Sequence, residues 1–186
     1  MDFKETLYSR RSVRKYTGQL VDKKRIEELC TAATQAPSAT NSQPWCFGVI
    51  QDKNLLAAYS QQAKAHLIGK MEEFPSLQKY HALLARDDYD IFYGAGTLLL
   101  VYAKPAGPFA VTDCCLAAEN IMLAAHSLGL GTCWIGFAQE FLQQPYIKQE
   151  LGIPETHVMV APLIVGYPAS EQEPVAKRAP EILFWK

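Results

Sequence analysis

The sequence lacks the long apolar segments that mark export or membrane insertion. The first five residues include three charged side chains, so no signal peptide is predicted. The most apolar helical segment is shorter and more interrupted than the about 20 apolar residues that cross a bilayer. We therefore expect a cytoplasmic protein with no membrane partner.

The sequence also lacks a charge imbalance and the spacings of metal-binding residues. Its formal net charge is −1 over 186 residues, which does not favour binding to nucleic acid or to an anionic surface. The five cysteines form no Cys-x-x-Cys pair, and the four histidines show no ligand spacing. We expect free thiols in a reducing compartment and no metal site.

The remaining pattern predicts one domain, residues 1–186, in which helices and strands alternate. Two helices, one on each side of residues 10–16, precede the first strand, and another helix is predicted over residues 53–68. Strands are predicted at 45–50, 97–102, 132–137 and 158–167, and a helix at 142–151. We expect an α+β fold, an α/β-like three-layer sandwich with a mixed central sheet and helices on both faces. Pro162 inside the last strand indicates a sheet edge or a bulge.

The segment from Asp113 to Leu128 predicts a helix that is apolar on nearly every side. Thr112 or Asp113 can cap its first turn, and Gly129 can end it in the left-handed conformation. Such a helix is normally buried. It must therefore lie in the middle of the core or face a second subunit.

Positive charge is concentrated near the N-terminus. Arg10, Arg11, Arg14 and Lys15 lie within six residues, with Ser12 among them. Arginine can hold two phosphate oxygens at once, so the segment is a candidate phosphate site. A solvated basic loop explains the same composition equally well.

Two further segments are candidates for ligand contact. In the loop from Pro37 to Trp45, Asn41 and Gln43 carry both donors and acceptors and can bind the edge of a heterocycle. An ordinary turn before a strand is the alternative. In residues 129–136 the glycines would let a ligand approach backbone N–H groups, although a helix end also explains Gly129.

Three segments, taken in this order, resemble the nitroreductase family of flavin mononucleotide (FMN) enzymes. They are Arg10–Arg14, Ala36–Trp45 and Ala117–Gly131, and the resemblance extends to Lys177 and Arg178. It implies an intertwined homodimer with FMN at the subunit interface and with the long apolar helix forming much of that interface. The apolar C-terminal tail would then also have a partner surface.

The resemblance also implies which residues bind the cofactor. From one subunit, the N-terminal residues would hold the ribityl chain, phosphate and pyrimidine edge, with Arg178 at the phosphate. The loop would approach from the other subunit, and residues 135 and 136 would offer backbone N–H groups to flavin N5 and O4. The implied cofactor-binding residues are Arg10, Arg11, Ser12, Arg14, Pro37, Ser38, Ala39, Asn41, Gln43, Ile135, Gly136, Lys177 and Arg178.

The implied reaction is ping-pong hydride transfer from NAD(P)H to flavin N5 and then to a nitroaromatic, a quinone or a similar small acceptor. The flavin carries this chemistry, so no catalytic side chain is predicted. A flavin-dependent dehydrogenase, a reductase fed by another electron carrier, and a non-enzymatic FMN-binding protein are the alternatives. Trp134, Phe92 and Tyr93 would either line the acceptor site or serve as core aromatics.

Two features depart from the family pattern. Some members carry an acidic residue where Ile135 stands, which would alter the charge near N5 but not a backbone contact. Many space the C-terminal lysine and arginine one residue apart, whereas Lys177 and Arg178 are adjacent. This leaves the role of Lys177 open.

Overall fold

The fold is built around a four-stranded sheet in a computed structural model that describes residues 2–73 and 75–186. The strands are β1 (Trp45–Ile50), β2 (Thr97–Ala103), β3 (Gly131–Trp134) and β4 (Val158–Gly166). The sheet order is β1-β2-β4-β3, and each adjacent pair is antiparallel. Parallel pairing occurs in one isolated bridge, between Ser12 and Thr132.

Helices cover both faces of this sheet. The α-helices are α1 (Phe3–Ser9), α2 (Lys23–Ala33), α3 (Lys53–Gly69), α4 (His81–Leu84), α5 (Ala110–Ser127), α6 (Gly136–Leu142) and α7 (Pro145–Glu150). Short 3-10 helices occupy Ala39–Asn41 and Pro75–Tyr80. The α+β class is confirmed. The expected mixed sheet is antiparallel in all its named strands, because the parallel component comes only from the N-terminal segment beside β3.

Two hydrophobic cores pack against opposite faces of β2, which is buried along its whole length. Leu99 and Val101 face the core formed with α2 and α5. Leu98 and Leu100 face the core formed with α3, α6 and α7. This alternation is what a strand covered on both faces requires, and it confirms that prediction for residues 97–102.

The central helix begins earlier than predicted. It starts at Ala110, and its capping position, Phe109, makes no side-chain capping bond. The predicted cap at Thr112 or Asp113 is therefore wrong, because Asp113 lies within the helix and is buried. The predicted end is confirmed, since Gly129 has a φ of +77°.

Three other predictions need correction. The helix predicted at 142–151 is divided, because α6 ends at Leu142 and Pro145 begins α7. The strand predicted at 132–137 ends at Trp134, where the chain turns into α6. Residues 69–90, left unassigned by the sequence, contain α4 and a 3-10 helix, and position 74 lies outside the described residues.

Pro162 lies in an interior strand and not at an edge. Its carbonyl accepts a hydrogen bond from the Ile135 N–H, just beyond the end of β3. Proline has no N–H to donate in return, and the pairing of β3 with β4 ends at Trp134 and Leu163. A register irregularity does occur nearby, between Val101 and Tyr102.

Within the described residues, no helix combines the length and the apolar character needed to span a membrane.

Candidate functional site

The basic N-terminal segment is fixed along the end of the sheet by backbone hydrogen bonds. The Val13 N–H donates to the Thr132 carbonyl over 2.9 Å. Farther along, the Thr17 N–H donates to Tyr167 and the Ala169 N–H donates to Lys15, each over 3.0 Å. The segment therefore behaves as an added strand, with alternate side chains on opposite sides.

Two glycines allow this segment to lie close to the sheet. A Cβ at Gly131 would lie 2.6 Å from Val13 Cγ2 and 2.8 Å from Val13 Cβ. A Cβ at Gly166 would lie 2.8 Å from Tyr16 Cδ1. Because Val13 is directed inward and is 3% exposed, Ser12 and Arg14 are directed outward.

Side chains of this segment line a cavity of about 580 Å³. It lies between the basic segment and the chain after β4, and it contains most of the predicted phosphate-binding group. Its lining includes Arg10, Arg11, Ser12, Arg14, Lys15 and Lys177, with Glu171 and Glu173 on the tail side. Lys177, whose role the sequence left open, lines this cavity, whereas Arg178 does not.

Two guanidinium nitrogens at this cavity are buried without a hydrogen-bond partner among the described residues. They are Arg10 Nη1 and Arg11 Nε. Arg11 Nη1 donates to the carbonyls of Tyr8 and Arg10, and Arg10 Nε lies 3.9 Å from a carboxylate oxygen of Glu119. Charged donors are unfavourable when they are buried and unpaired. The Arg10 and Arg11 side chains line a cavity together with Arg14, Lys15 and Lys177, so the cavity is suited to an anion.

A smaller cavity of about 200 Å³ lies beside the first, and Arg14 lines both. The other lining residues come from the loop before β2 and from the junction of β3 with α6. They are Ile91, Tyr93, Cys133, Trp134, Ile135, Gly136 and Phe137. Of the three aromatics proposed as walls, Tyr93 and Trp134 line this cavity. Phe92 is 1% exposed and belongs to the core.

One predicted backbone donor is already used in this structure. The Ile135 N–H donates to the Pro162 carbonyl over 2.9 Å, so it is not free for flavin N5. Gly136 is the first residue of α6, and its N–H has no acceptor within the helix. Only the second of the two predicted donors is therefore available.

The loop from Pro37 to Gln43 has an unusual backbone. Thr40, Asn41 and Gln43 have φ values of +52°, +58° and +46°, and the only other such non-glycine residue in the described chain is Tyr93. The Gln43 N–H donates to Ser38 Oγ, and Gln43 Nε2 donates to Asn41 Oδ1. Backbone strain of this kind is concentrated at functional sites.

Asp113 holds this loop and was missed as a site residue. Both carboxylate oxygens lie 3.2 Å from the Ala39 N–H, and one lies 3.4 Å from Ser42 Oγ, which donates to it. The side chain is 5% exposed. The sequence signal is a carboxylate near the start of a mostly apolar helix, and the same position also fits a helix cap.

The structure does not bring all the predicted site residues together within one chain. The basic residues and Lys177 share one cavity, and Arg14 connects them to Ile135 and Gly136. Pro37, Ser38, Ala39, Asn41 and Gln43 line neither cavity. The site is thus divided into two parts that a single copy keeps apart.

Cys133 at the smaller cavity is not activated as a nucleophile. Burial raises the pKa of its thiol, and the nearby positive charge of Arg14 opposes this only in part. The thiol therefore stays protonated at neutral pH. In residues 2–73 and 75–186, no three His, Cys, Asp or Glu side chains are grouped to hold a metal ion.

Comparisons with known proteins show which family the sequence matches. Residues 7–167 match the sequence model of the nitroreductase family. A relative from Archaeoglobus fulgidus, provisionally named an NADH dehydrogenase/NAD(P)H nitroreductase, is 32% identical over 176 residues, covering 90% of this chain and 86% of the relative. A protein named NADH dehydrogenase from Thermus thermophilus is 28% identical over 209 residues, covering 100% of this chain and 97% of the relative.

A solved structure is also similar. The nitroreductase of Bacteroides fragilis with bound FMN superposes with a TM-score of 0.85 and 26% identity, over 100% of both chains. The family match covers most of the chain and includes the basic segment, the strained loop and the β3–α6 junction. This chain belongs to the nitroreductase family.

Proposed function

We propose that this protein is an FMN-dependent oxidoreductase that uses NAD(P)H to reduce a small acceptor such as a nitroaromatic or a quinone. The observation that carries the proposal is a cavity lined by five cationic side chains, two of which, Arg10 and Arg11, each have one guanidinium nitrogen without a partner among the described residues. A phosphate dianion supplies the acceptors that these donors lack.

The described residues fit FMN along the line of the two connected cavities. Arg10, Arg11 and Lys177 would hold the phosphate at the larger cavity. Ser12 would bind a ribityl hydroxyl, because it lies in the same outward row. Arg14 would face the pyrimidine end, since it also lines the smaller cavity.

When bound, FMN supplies the hydride chemistry that these side chains lack. The chain's part is positional and electrostatic. The Arg14 guanidinium and the Gly136 N–H would stabilise negative charge where it develops at the pyrimidine end. Because burial keeps the Cys133 thiol protonated, that side chain would not act as a nucleophile in the site.

We infer further that two copies are needed to complete the site. The strained loop lines neither cavity of its own chain, yet Asp113 holds it in a defined shape. Apolar side chains on α5 and in the tail are uncovered in a single copy, including Leu116 at 43% and Trp185 at 89% exposure. A homodimer would bury such surfaces and would bring the loop of one copy to the cavities of the other.

The test is an anaerobic titration of purified, FMN-loaded protein with NADH and NADPH in separate experiments. We expect the flavin absorbance to bleach with at least one donor and to return when menadione or a nitroaromatic is added. Bleaching by neither donor would contradict the use of NAD(P)H. Turnover no faster than that of free FMN would contradict an enzymatic role, and a monomer in sedimentation of the loaded protein would contradict the shared site.

A further inference from the structure

We propose that Tyr93, supported by Tyr89, is a positioning residue that holds the Arg14 guanidinium over the smaller cavity. The inference rests on the proposed function, because the group it serves is bound flavin. Arg14 Cζ lies 5.9 Å from the centroid of the Tyr93 ring. At this distance a guanidinium is attracted to the face of an aromatic ring.

The hydroxyl end of the Tyr93 side chain is held by Tyr89. The hydroxyl oxygens of Tyr89 and Tyr93 are 2.8 Å apart, and the two rings meet edge to face with centroids 5.9 Å apart. Burial, together with this hydrogen bond, raises the pKa of Tyr89. The Tyr89 phenol therefore keeps its proton at physiological pH, so the hydrogen bond between the two hydroxyls persists.

The backbone below Tyr93 fixes the direction of its ring. Tyr93 has a φ of +55°, which is uncommon for a large side chain. Asp90 maintains the turn, because its carboxylate accepts from the N–H groups of Phe92 and Gly94 over 2.9 Å and 2.8 Å. The Ile91 N–H donates to the buried Ser60 Oγ, which ties the turn to α3.

This arrangement assigns Arg14 to one end of the site. Arg14 lines both cavities, but Tyr93 lines only the smaller one. The pKa values of Tyr89 and Cys133 are raised by burial, and in both cases the charge of Arg14 opposes the increase. The guanidinium therefore lies near the tyrosine pair and Cys133, which places it at the smaller cavity.

The consequence can be measured by comparing two flavins. Riboflavin has the ring and ribityl chain of FMN but no phosphate. If Tyr93 acts through Arg14 on the flavin ring, loss of the tyrosine ring must weaken the binding of both flavins by the same factor. Loss of a phosphate contact would weaken the binding of FMN and leave the binding of riboflavin unchanged.

The experiment uses four variants of the full-length protein. Tyr93→Asn removes the ring with little risk to the turn, because asparagine tolerates positive φ. Tyr93→Phe keeps the ring and removes only the hydroxyl, so it is the matched control. Arg14→Met and the double variant Arg14→Met/Tyr93→Asn test whether the tyrosine acts through the arginine. The dissociation constants of FMN and riboflavin and the midpoint potential of the bound flavin are measured for each.

We expect Tyr93→Asn to raise both dissociation constants by the same factor, about two- to fivefold, as for a lost cation–π contact. The midpoint potential should fall, because a poorly placed guanidinium stabilises the reduced flavin less. Tyr93→Phe keeps the ring over which Arg14 lies but loses the bond to Tyr89, so its effect on both measurements should be in the same direction and smaller than that of Tyr93→Asn. In the Arg14→Met background the Tyr93→Asn change should have no further effect.

The proposal is overturned if Tyr93→Asn leaves affinity and potential unchanged, or if its effect is the same with and without the Arg14 side chain. A purely structural role would lower the melting temperature without that dependence on Arg14. Failure of the proposed function would look different, since the wild-type protein would then either bind neither flavin or bind flavin that neither NADH nor NADPH reduces.

Discussion

The basic segment is held in place by backbone hydrogen bonds, whereas the strained loop is held by a buried side chain. Residues 12–17 lie along the sheet through backbone hydrogen bonds, and Gly131 and Gly166 give them room. The loop at Pro37–Gln43 has no such backing, and the buried carboxylate of Asp113 fixes it at Ala39 and Ser42.

The difference indicates what each region does for the site. The basic segment faces cavities formed within its own chain, so its arginines are prepared for an anion without a partner. The loop keeps its uncommon backbone but contributes to neither cavity. A loop that has a fixed backbone and lies outside the cavities of its own chain is suited to contact the site of a second copy.

The largest expected effect comes from closing the space at Gly131. In Gly131→Ala the added Cβ meets Val13 Cβ and Cγ2 at less than 3 Å, so the basic segment must move. We expect a loss of about 1–3 kcal/mol in the free energy of unfolding, as for overpacked cores. The FMN dissociation constant should rise about tenfold or more, because charge-assisted hydrogen bonds are lost. Urea unfolding and FMN titration measure the two effects.

Gly48→Ala is the control for this experiment. A Cβ at Gly48 in β1 would lie 3.6 Å from Leu100 Cβ, which is ordinary contact. This variant should keep both stability and FMN affinity. If Gly131→Ala behaved like Gly48→Ala, close approach of the basic segment would not be important for the site.

The next effect is expected from releasing the loop. Asp113→Ala removes the acceptor for the Ala39 N–H and truncates a buried side chain of α5. We expect a loss of about 1–3 kcal/mol in the free energy of unfolding, because a buried donor is left unpaired. Hydrogen exchange at Ala39 should become fast while exchange at Val13 stays slow. Asp113→Asn keeps one acceptor oxygen and should lie closer to wild type; equal exchange in all three proteins would contradict this role.

Mixing the two defects tests whether the loop and the basic segment of one site belong to different copies. Gly131→Ala and Asp113→Ala chains carrying different tags are coexpressed, and the mixed dimers are compared with each parent. A mixed dimer has one site with an intact segment and an intact loop. Random assortment should therefore restore tight FMN binding at about a quarter of all sites. No recovery in purified mixed dimers would place both parts of each site in the same chain.

Much of the fold could be predicted from local pattern. β1 matches the predicted bounds, the predicted helix at 53–68 matches α3, and the Gly129 end of α5 was correct. The division at Pro145 was missed because apolar spacing continued across it, although proline at a helix start is a known signal. The antiparallel order depends on long-range pairing, which periodicity does not report.

Several residues of the candidate site could be predicted from the sequence, but the contacts between them could not. The charge cluster at Arg10–Lys15 was visible in the sequence, and it does line one cavity. Asp113 contacts Ala39, which is 74 positions away in the sequence. Tyr93 contacts Arg14, which is 79 positions away. Such pairs leave no local signature. The use of the Ile135 N–H by Pro162 was hidden for the same reason.

The smallest expected effect is on the pH dependence of stability. It should involve the basic segment and not the loop. Burial lowers the pKa of His126, the charges of Arg10 and Arg11 lower it further, and Glu5 opposes this. His126 Nε2 also lies 2.7 Å from Ser9 Oγ on α1. Because the unfolded chain takes up the proton more readily, the free energy of unfolding should decrease as pH falls through the ordinary histidine pKa of 6.5. His126→Gln should remove this slope, whereas Asp113→Asn should keep it. FMN should reduce the slope in the wild type, because its phosphate would offset the positive charge beside His126. Equal slopes in wild type and His126→Gln would show that another group controls the acid response.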